Sequence, residues 1–299
     1  MFSGQFVTKR RPSETIDPGT RVRPVDLASR SSARSAAVAT ALFCVLGAAG
    51  CASPLQRIDS IAAAAGFQRT LVQGGSFRHA VYSGVASKSN QSTLRVYIEG
   101  DGSPYRGRYV VTPDPTPRQP VMLRLMSLDP TPAVYVGRPC YFGLADEAPC
   151  EPLDWTLGRF SEEIVASMAV VIRGLAQEAD ADEILLIGHS GGGAMAVLLA
   201  RRMPEVTHVV TLAGLLDTDA WAVEHAYTPL RYSLNPVEGG ALPRSITQSH
   251  FAAADDTNVP PGLIQRAAER LGAGTVIVLP QVSHSKGWGQ HWPAILAGQ

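Results

Sequence analysis

One serine in this 299-residue chain lies in a setting that favours nucleophilic chemistry. Ser190 is the centre of Gly188-His-Ser-Gly-Gly192, a G-x-S-x-G pattern between an apolar run, Ile184 to Ile187, and helix-forming residues from Ala194. A serine at the apex of such a tight turn has strained backbone geometry, and the flanking glycines remove side chains that would collide. The following helix places its positive end at the serine hydroxyl. The pattern predicts a nucleophile, although a phosphate-binding loop or simple packing would also explain a glycine-rich turn.

Two other residues could activate this serine. His284 follows the last predicted strand, 275–279, and Asp256 follows the strand predicted from Ser245. A histidine can take the serine proton, and an aspartate can hold the imidazole in the required tautomer. All three residues come after predicted parallel strands, so we expect them to meet at the carboxyl edge of the sheet. The alternative candidates are Asp255, Asp217 and Asp219 for the acid and His291 for the base.

The chain order of these residues is Ser190, Asp256, His284. Over roughly residues 94–292 the chain therefore resembles the α/β-hydrolase superfamily, whose nucleophile, acid and histidine follow one another in this order. The resemblance implies an α/β fold with a mostly parallel central sheet, helices on both faces and a small cap segment at about 214–244. It also implies a Ser-Asp-His triad that requires no cofactor.

The resemblance further implies two donors to an oxyanion hole. One is the backbone N–H of Gly191, directly after the nucleophile. The other comes from the loop after the strand predicted at 93–98, where such hydrolases often have His-Gly-Gly-Gly or His-Gly-x. This chain has Glu99-Gly100-Asp101 there, with Glu in the place of His, and we assign the second donor to Asp101. A plain turn between strand and loop is the other interpretation.

The remaining sequence alternates strand and helix patterns. Gly74-Gly75 predicts an antiparallel hairpin between the runs 70–73 and 79–85. Apolar residues spaced three and four apart over 160–176 predict an amphipathic helix. The alternation predicts a parallel sheet with right-handed crossovers. The other predicted strands are 93–98, 133–136 and 206–213, and the other predicted helices are 120–126 and 262–271.

The composition is that of an ordinary globular protein, with 45% hydrophobic residues, 17% charged residues and a formal net charge of +0. The first 50 residues hold seven basic and three acidic residues, which leaves 19 basic and 23 acidic residues in the remainder. That balance gives no basic patch, so we do not expect a nucleic-acid partner. The cysteines have no histidine cluster nearby, so we expect no metal site.

The first 50 residues are interpreted as a polar leader followed by an export signal. After Arg34 comes a short apolar run over 36–50, below the roughly 20 residues that a membrane-spanning helix needs. The run ends in Ala48-Ala-Gly-Cys51, which resembles a bacterial lipobox and implies lipidation of Cys51, with ordinary signal cleavage as the alternative. We therefore expect a cell-envelope protein, anchored in the outer membrane through this lipid or else periplasmic. The predicted organisation is a leader and signal over 1–50, a linker or short helix over 51–66 and one catalytic domain over 67–299.

The cysteine count fits export. If Cys44 leaves with the signal and Cys51 carries lipid, Cys140 and Cys150 are left as an even pair. We expect these two to form a disulfide in an oxidising compartment. Two buried thiols are the alternative.

The predicted reaction is acyl transfer to water, which means cleavage of an ester, a thioester or an amide in a small-molecule or lipid acyl substrate. Two alternatives remain: a surface binding module with an idle triad, or an acyltransferase or perhydrolase on the same triad. The sequence does not predict an oligomeric state. Side chains of the cap segment either line the pocket or pack the loop, namely Trp221, His225, Tyr227, Tyr232 and Asn235. Three histidines are interpreted as structural: His189 in the turn, His208 in a strand and His79 in the hairpin.

Overall fold

The computed structural model describes residues 53–84, 92–273 and 275–299. The predictions for the leader, the export signal and Cys51 lie outside these residues. The domain boundaries also stay predictions. Among the described residues, no helix is both long and apolar enough to cross a membrane.

An eight-stranded mixed sheet forms the centre of the fold, in the order β1-β2-β6-β3-β7-β8-β9-β10. The strands β1 and β2 form the predicted antiparallel hairpin, and β2 pairs antiparallel with β6. From β6 to β10 every neighbouring pair is parallel, as predicted. The strands are β1 Phe67–Gly74, β2 Phe77–Gly84, β3 Thr93–Ile98, β6 Ala133–Val136, β7 Glu183–His189, β8 Val206–Leu212, β9 Thr247–Ala253 and β10 Val276–Leu279. A separate small hairpin comprises β4 Tyr105–Arg106 and β5 Val110–Val111.

The helices cover both faces of this sheet. One group, α1, α2 and α7, is joined by helix-to-helix contacts, and α3 and α4 contact each other. The helices are α1 Pro54–Ala64, α2 Val121–Met126, α3 Glu162–Glu178, α4 Gly191–Ala200, α5 Thr218–Glu224, α6 Pro261–Arg270 and α7 Trp288–Ala297. A 3₁₀ turn covers Pro152–Trp155. The mostly parallel α/β architecture predicted from the sequence is confirmed.

The elbow strand and helix lie in the middle of the core. Strand β7 is buried from Ile184 to His189, and every residue of α4 is buried. Strands buried on both faces have continuous apolar sequences, which explains the run in β7. The sequence predicted α4 from Ala194, but the helix begins at Gly191. Burial therefore outweighs the low helix propensity of three successive glycines.

The predicted disulfide between Cys140 and Cys150 is present. It closes the loop that follows β6, and this loop begins at Gly137. Because β6 lies next to β3 in the sheet, the loop emerges beside the carboxyl end of β3. It therefore lies next to the segment that contains Asp101.

Candidate active site

Ser190 occupies a strained turn between β7 and α4. Its φ is 54° and its ψ is −121°, a conformation that L-residues rarely adopt and that is typical of functional turns. A side chain on Gly188 would collide with the backbone of Gly192, and one on Gly192 would collide with the backbone oxygen of Ile98. These contacts explain why the turn needs glycine two residues before and two residues after the serine.

Ser190, His284 and Asp256 lie in one hydrogen-bonded chain. The Oγ atom of Ser190 is 3.0 Å from Nε2 of His284, and Nδ1 of His284 is 2.7 Å from Oδ2 of Asp256. The carboxylate accepts at Oδ2, so the ring proton is on Nδ1 and Nε2 is free to accept the serine hydroxyl. The backbone N–H groups of Asn258 and Val259 donate to Oδ1 of Asp256, at 2.8 and 2.9 Å. The acid is therefore held on both oxygens.

Two ring N–H groups fix the backbone of His284. This residue lies in a tight turn closed by reciprocal backbone hydrogen bonds between Ser283 and Lys286. Its carbonyl oxygen accepts from Nε2 of His189 at 2.6 Å and from Nε1 of Trp288 at 3.0 Å. His189 is therefore more than the turn residue that the sequence suggested. It precedes Ser190 in the sequence and donates a hydrogen bond to His284, so it contacts two of the three predicted triad residues.

His189 is a neutral hydrogen-bond donor. Burial, followed by the nearby charge of His284, lowers the pKa of His189 to about 3. A carbonyl oxygen can only accept, so the proton is on Nε2, and Nδ1 lies buried without a hydrogen-bond partner among the described residues. Oε1 of Glu99 lies 3.8 Å from this nitrogen. Burial raises the pKa of Glu99 to about 7. Hydrogen bonds from the backbone N–H of Gly100 and from those at the start of α2 act in the opposite direction.

The alternative triad members lie elsewhere. Asp217 caps α5 by accepting from the N–H of Ala220 and pairs with Arg270 at 2.7 Å. The side chain of His291 contacts that of Gln290. Asp255 immediately precedes Asp256, and its backbone N–H donates to the carbonyl oxygen of Val282 at 2.9 Å.

The remaining histidines have structural contacts. His79, in β2, is 2.9 Å from the carbonyl oxygen of Gly137 through Nδ1, and its Nε2 contacts Ser167. His208 lies in β8, as predicted, beside the Thr207 hydroxyl. Burial lowers the pKa of both His79 and His250 to about 4, so both are neutral core residues.

The assigned oxyanion donors lie side by side. A side chain on Gly191 would collide with the carboxylate of Asp101, so the two residues are in close contact. Neither backbone N–H has a hydrogen-bond acceptor in the described part of the chain. A pair of free N–H groups beside a serine hydroxyl is the arrangement that an oxyanion hole requires. The Glu99-Gly100-Asp101 segment is thus near the nucleophile, as expected from the sequence.

A cavity of about 800 Å³ opens onto Ser190 and His284. The cap segment supplies part of its wall, because Trp221 and Tyr227 line it. Asn258, which the sequence did not single out, joins the cap to the base. Its backbone oxygen accepts from Nε1 of Trp221 at 2.9 Å, and its side-chain amide lies 3.1 Å from Nε2 of His284. Two other cap residues pack within the loop: His225 contacts Asn258, and Asn235 contacts Asp217. Tyr232 is exposed.

Comparison with known proteins identifies the fold. No family model and no curated protein matches the sequence. A membrane phospholipase A described as a bacterial virulence factor has a similar structure, with a TM-score of 0.53 and 14% identity over 89% of this chain and 98% of that chain. The Pyrococcus furiosus esterase Pf2001 is similar with a TM-score of 0.53 and 12% identity, over 83% of this chain and 95% of that chain. An alpha-beta serine hydrolase homologue from Coxiella burnetii is similar with a TM-score of 0.50 and 13% identity, over 77% of this chain and 96% of that chain. The chain has the α/β-hydrolase fold.

Proposed function

We propose that this protein is a serine hydrolase of the carboxylesterase or lipase type. One observation carries the proposal: the hydroxyl of a strained, nearly buried serine lies 3.0 Å from an imidazole that is itself bonded to a buried carboxylate. Such a chain of contacts activates a hydroxyl that is a weak nucleophile by itself. The lipase, esterase and serine hydrolase names among the structural neighbours support the same reaction class.

The contacts support a proposed role for each residue of the triad. Nε2 of His284 takes the Ser190 proton while Oγ attacks the acyl carbonyl carbon. The protonated imidazole then donates this proton to the leaving group, which departs and leaves an acyl-serine. In the second half of the reaction, His284 takes a proton from water while the water oxygen attacks the acyl carbon. The imidazolium then returns a proton to Oγ of Ser190, and the carboxylic acid is released. Asp256 holds the imidazole in the Nδ1–H tautomer and stabilises the imidazolium.

The free N–H groups of Gly191 and Asp101 would bind the oxyanion of the tetrahedral intermediate. A preorganised donor is worth about 3 kcal/mol, because it is directed at charge that develops only in the transition state. The positive end of α4 acts in the same direction. These roles need no metal or organic cofactor.

The cavity suits an acyl substrate with an apolar portion. Its volume, about 800 Å³, lies in the range of small-molecule sites. The apolar wall beside the triad comprises Leu157, Leu215, Leu230, Val259 and Trp221. We propose a small-molecule or lipid ester as the substrate, with a thioester or an amide as the alternative bond.

Fluorophosphonate labelling of the full-length chain tests the proposal. Wild-type protein should label, and both Ser190→Ala and His284→Ala should lose the label while retaining the wild-type circular dichroism spectrum. An Asp217→Asn variant is the matched control, since Asp217 is the acid that the structure places away from His284. A folded wild-type protein that neither labels nor hydrolyses p-nitrophenyl esters would exclude the enzyme and favour a binding module. Product analysis with added alcohol or peroxide separates a hydrolase from an acyltransferase or a perhydrolase.

We also propose that the chain is exported and anchored through lipid at Cys51. The disulfide between Cys140 and Cys150 supports an oxidising compartment. Metabolic labelling with an alkyne fatty acid should modify the wild-type chain, and Cys51→Ala should abolish the modification. Labelling that persists in this variant would overturn the anchor.

A further inference from the structure

We propose that Arg138, Arg159 and Tyr141 are positioning residues that hold Asp101 as an oxyanion donor and give the oxyanion site an excess positive charge. This inference rests on the proposed function, because it explains how the second N–H of the oxyanion hole is fixed. None of the three residues belongs to the motif at Ser190. They converge on one residue from two segments that are remote in sequence.

Every oxygen atom of Asp101 accepts a hydrogen bond, and only its backbone N–H has no partner among the described residues. Nη2 of Arg138 donates to Oδ1 at 2.7 Å, and Nη1 of Arg159 donates to Oδ2 at 2.7 Å. The hydroxyl of Tyr141 donates to the backbone oxygen at 3.1 Å. These three hydrogen bonds hold the side chain and the carbonyl group of Asp101, and so restrict the rotations about its Cα that would redirect its N–H. The N–H is the group left over, and it lies beside the nucleophile.

The arginines are themselves immobilised. Both side chains are at most 5% exposed. The guanidinium of Arg138 lies 4.8 Å from the ring centroid of Tyr141 and 5.5 Å from that of Phe160. The Nε atom of Arg159 donates to the backbone oxygen of Thr156 at 2.6 Å. Fixed donors of this kind keep a catalytic group in place, so no reorganisation energy is required during the reaction.

A carboxylate beside an oxyanion hole would by itself oppose catalysis. The negative charge of Asp101 touches Gly191, the other donor residue, so an oxyanion would form close to a like charge. Two guanidinium groups face this one carboxylate, which reverses the local charge. Burial alone would raise the pKa of Asp101, but Arg159 and Arg138 more than offset that effect and lower it, so the carboxylate stays ionised. The cluster therefore has one positive charge in excess.

Arg138 retains unused capacity to stabilise negative charge. Its Nη1 atom is buried and has no hydrogen-bond partner among the described residues. In a site of low dielectric, a positive charge that the protein does not fully pair stabilises a developing anion more strongly than it would in water. The excess charge thus opposes the repulsion that the Asp101 carboxylate would otherwise cause.

Steady-state kinetics on a p-nitrophenyl ester test this inference in the full-length chain. In Arg138→Gln and Arg159→Gln we expect kcat to fall roughly 10- to 100-fold with KM changed less than about twofold, since the oxyanion exists only in the transition state. Inhibition by butylboronic acid, which forms a tetrahedral anion on serine, should weaken in parallel. Arg138→Lys should recover part of kcat, because it restores the charge without the planar guanidinium geometry. Tyr141→Phe should lower kcat by a smaller factor of about 3 to 10, through loss of one neutral donor.

Arg95→Gln provides the matched control. Arg95 forms a comparable pair with the buried carboxylate of Asp129, at 3.0 Å, on the strand that leads to Asp101. Its removal should lower the melting temperature but leave kcat and boronic acid affinity unchanged. If Arg138→Gln is unstable, Tyr141→Phe and Arg159→Lys carry the test, since each leaves both arginine positions occupied by a cation.

The outcomes separate this inference from the proposed function. A folded wild-type chain without esterase activity or fluorophosphonate labelling refutes the proposed function. An active wild-type chain whose arginine variants keep kcat and boronic acid affinity refutes only the positioning role. The positioning role is also refuted if Arg95→Gln loses as much activity as the arginine variants do, because the loss of activity would then follow from lost stability.

Discussion

The two sides of Ser190 are held by different kinds of interaction. On the base side, His284 is fixed by a tight turn and by neutral ring N–H groups of His189 and Trp288. On the oxyanion side, Asp101 is fixed by two buried guanidinium groups from segments far away in sequence. The base side is therefore held by neutral ring N–H groups that donate to a backbone oxygen, and the oxyanion side is held by buried charge.

This difference follows from what each side must do. The proposed base must accept the serine proton, and a cation in contact with its ring would disfavour the imidazolium that this step forms. The charge that does contact the ring, the Asp256 carboxylate, is negative and stabilises that imidazolium. The proposed oxyanion donors are backbone N–H groups that do not titrate, and a net positive charge around them would favour the anion that they would bind. Neutral donors therefore suit one side and guanidinium groups suit the other.

The largest predicted effect comes from the acid on the base side. Asp256→Asn should reduce kcat/KM on a p-nitrophenyl ester by about 10⁴-fold, because the amide leaves His284 in the wrong tautomer. Asp217→Asn should leave kcat/KM within about twofold of wild type, since Asp217 pairs with Arg270 instead. Equal losses in the two variants would mean that the acid has been misassigned.

The base side could be predicted from the sequence because its residues come from local patterns. Ser190, Asp256 and His284 each follow a recognisable strand, and parallel strands place such residues at one edge of the sheet. The contribution of His189 was missed for a different reason. Its side-chain partner is a backbone oxygen, and no sequence motif records that kind of contact.

The oxyanion side could be predicted only in part. The position of Asp101 after β3 was evident, but its partners Arg138 and Arg159 depend on the order of strands in the sheet. Strand β6 follows β3 in sequence and then lies on its outer side, away from β7, which periodicity alone does not reveal. One available signal was an arginine two residues after a buried strand, a position where a charge needs a partner.

The last helix shows a similar limit of local patterns. The segment Trp288–Ala297 contains Gly289 and Pro293, both unfavourable for a helix, and the sequence did not predict one. Its two tryptophans are buried, and the ring of Trp292 packs 5.9 Å from that of Tyr97 in β3. Tertiary packing therefore decides this element, and it also brings Trp288 to the carbonyl oxygen of His284.

A smaller loss is expected when only the support of the base is removed. His189→Phe keeps a ring in the turn but deletes the donor to His284, so we expect kcat to fall about 10-fold through misplacement of the imidazole. The control is His250→Phe, which replaces another buried neutral histidine. Its contacts are with Thr211 and Gln248 and not with His284. If both variants lose the same activity, the His189 contact is not specific to the base.

The disulfide should affect the oxyanion side alone. Replacing Cys140 and Cys150 with serine opens the segment 140–150, which contains Tyr141 and begins two residues after Arg138. We expect kcat to fall by less than about 10-fold, because the ion pairs remain but the loop is looser. The free energy of unfolding in urea should fall by about 2–3 kcal/mol, from the freedom gained by the unfolded chain. A double variant that loses stability while keeping wild-type kcat would show that the disulfide does not support Asp101.

Acid should act on the two sides in separate pH ranges. The pKa of His189 is lowered from the ordinary 6.5 to about 3, so between these values the unfolded chain binds a proton that the folded chain does not. The free energy of unfolding therefore falls with decreasing pH across this window, by about 1.4 kcal/mol per pH unit for each such histidine. The pKa of Asp101 is lowered from 3.8, so its contribution is lost only below that pH. Urea titrations between pH 6.5 and 4 should show a shallower dependence in His189→Phe than in wild type. The slope should be unchanged in Asp101→Asn, which removes a carboxylate that titrates below this window. An altered slope in the Asp101 variant, with none in the histidine variant, would reverse this assignment of neutral and charged supports.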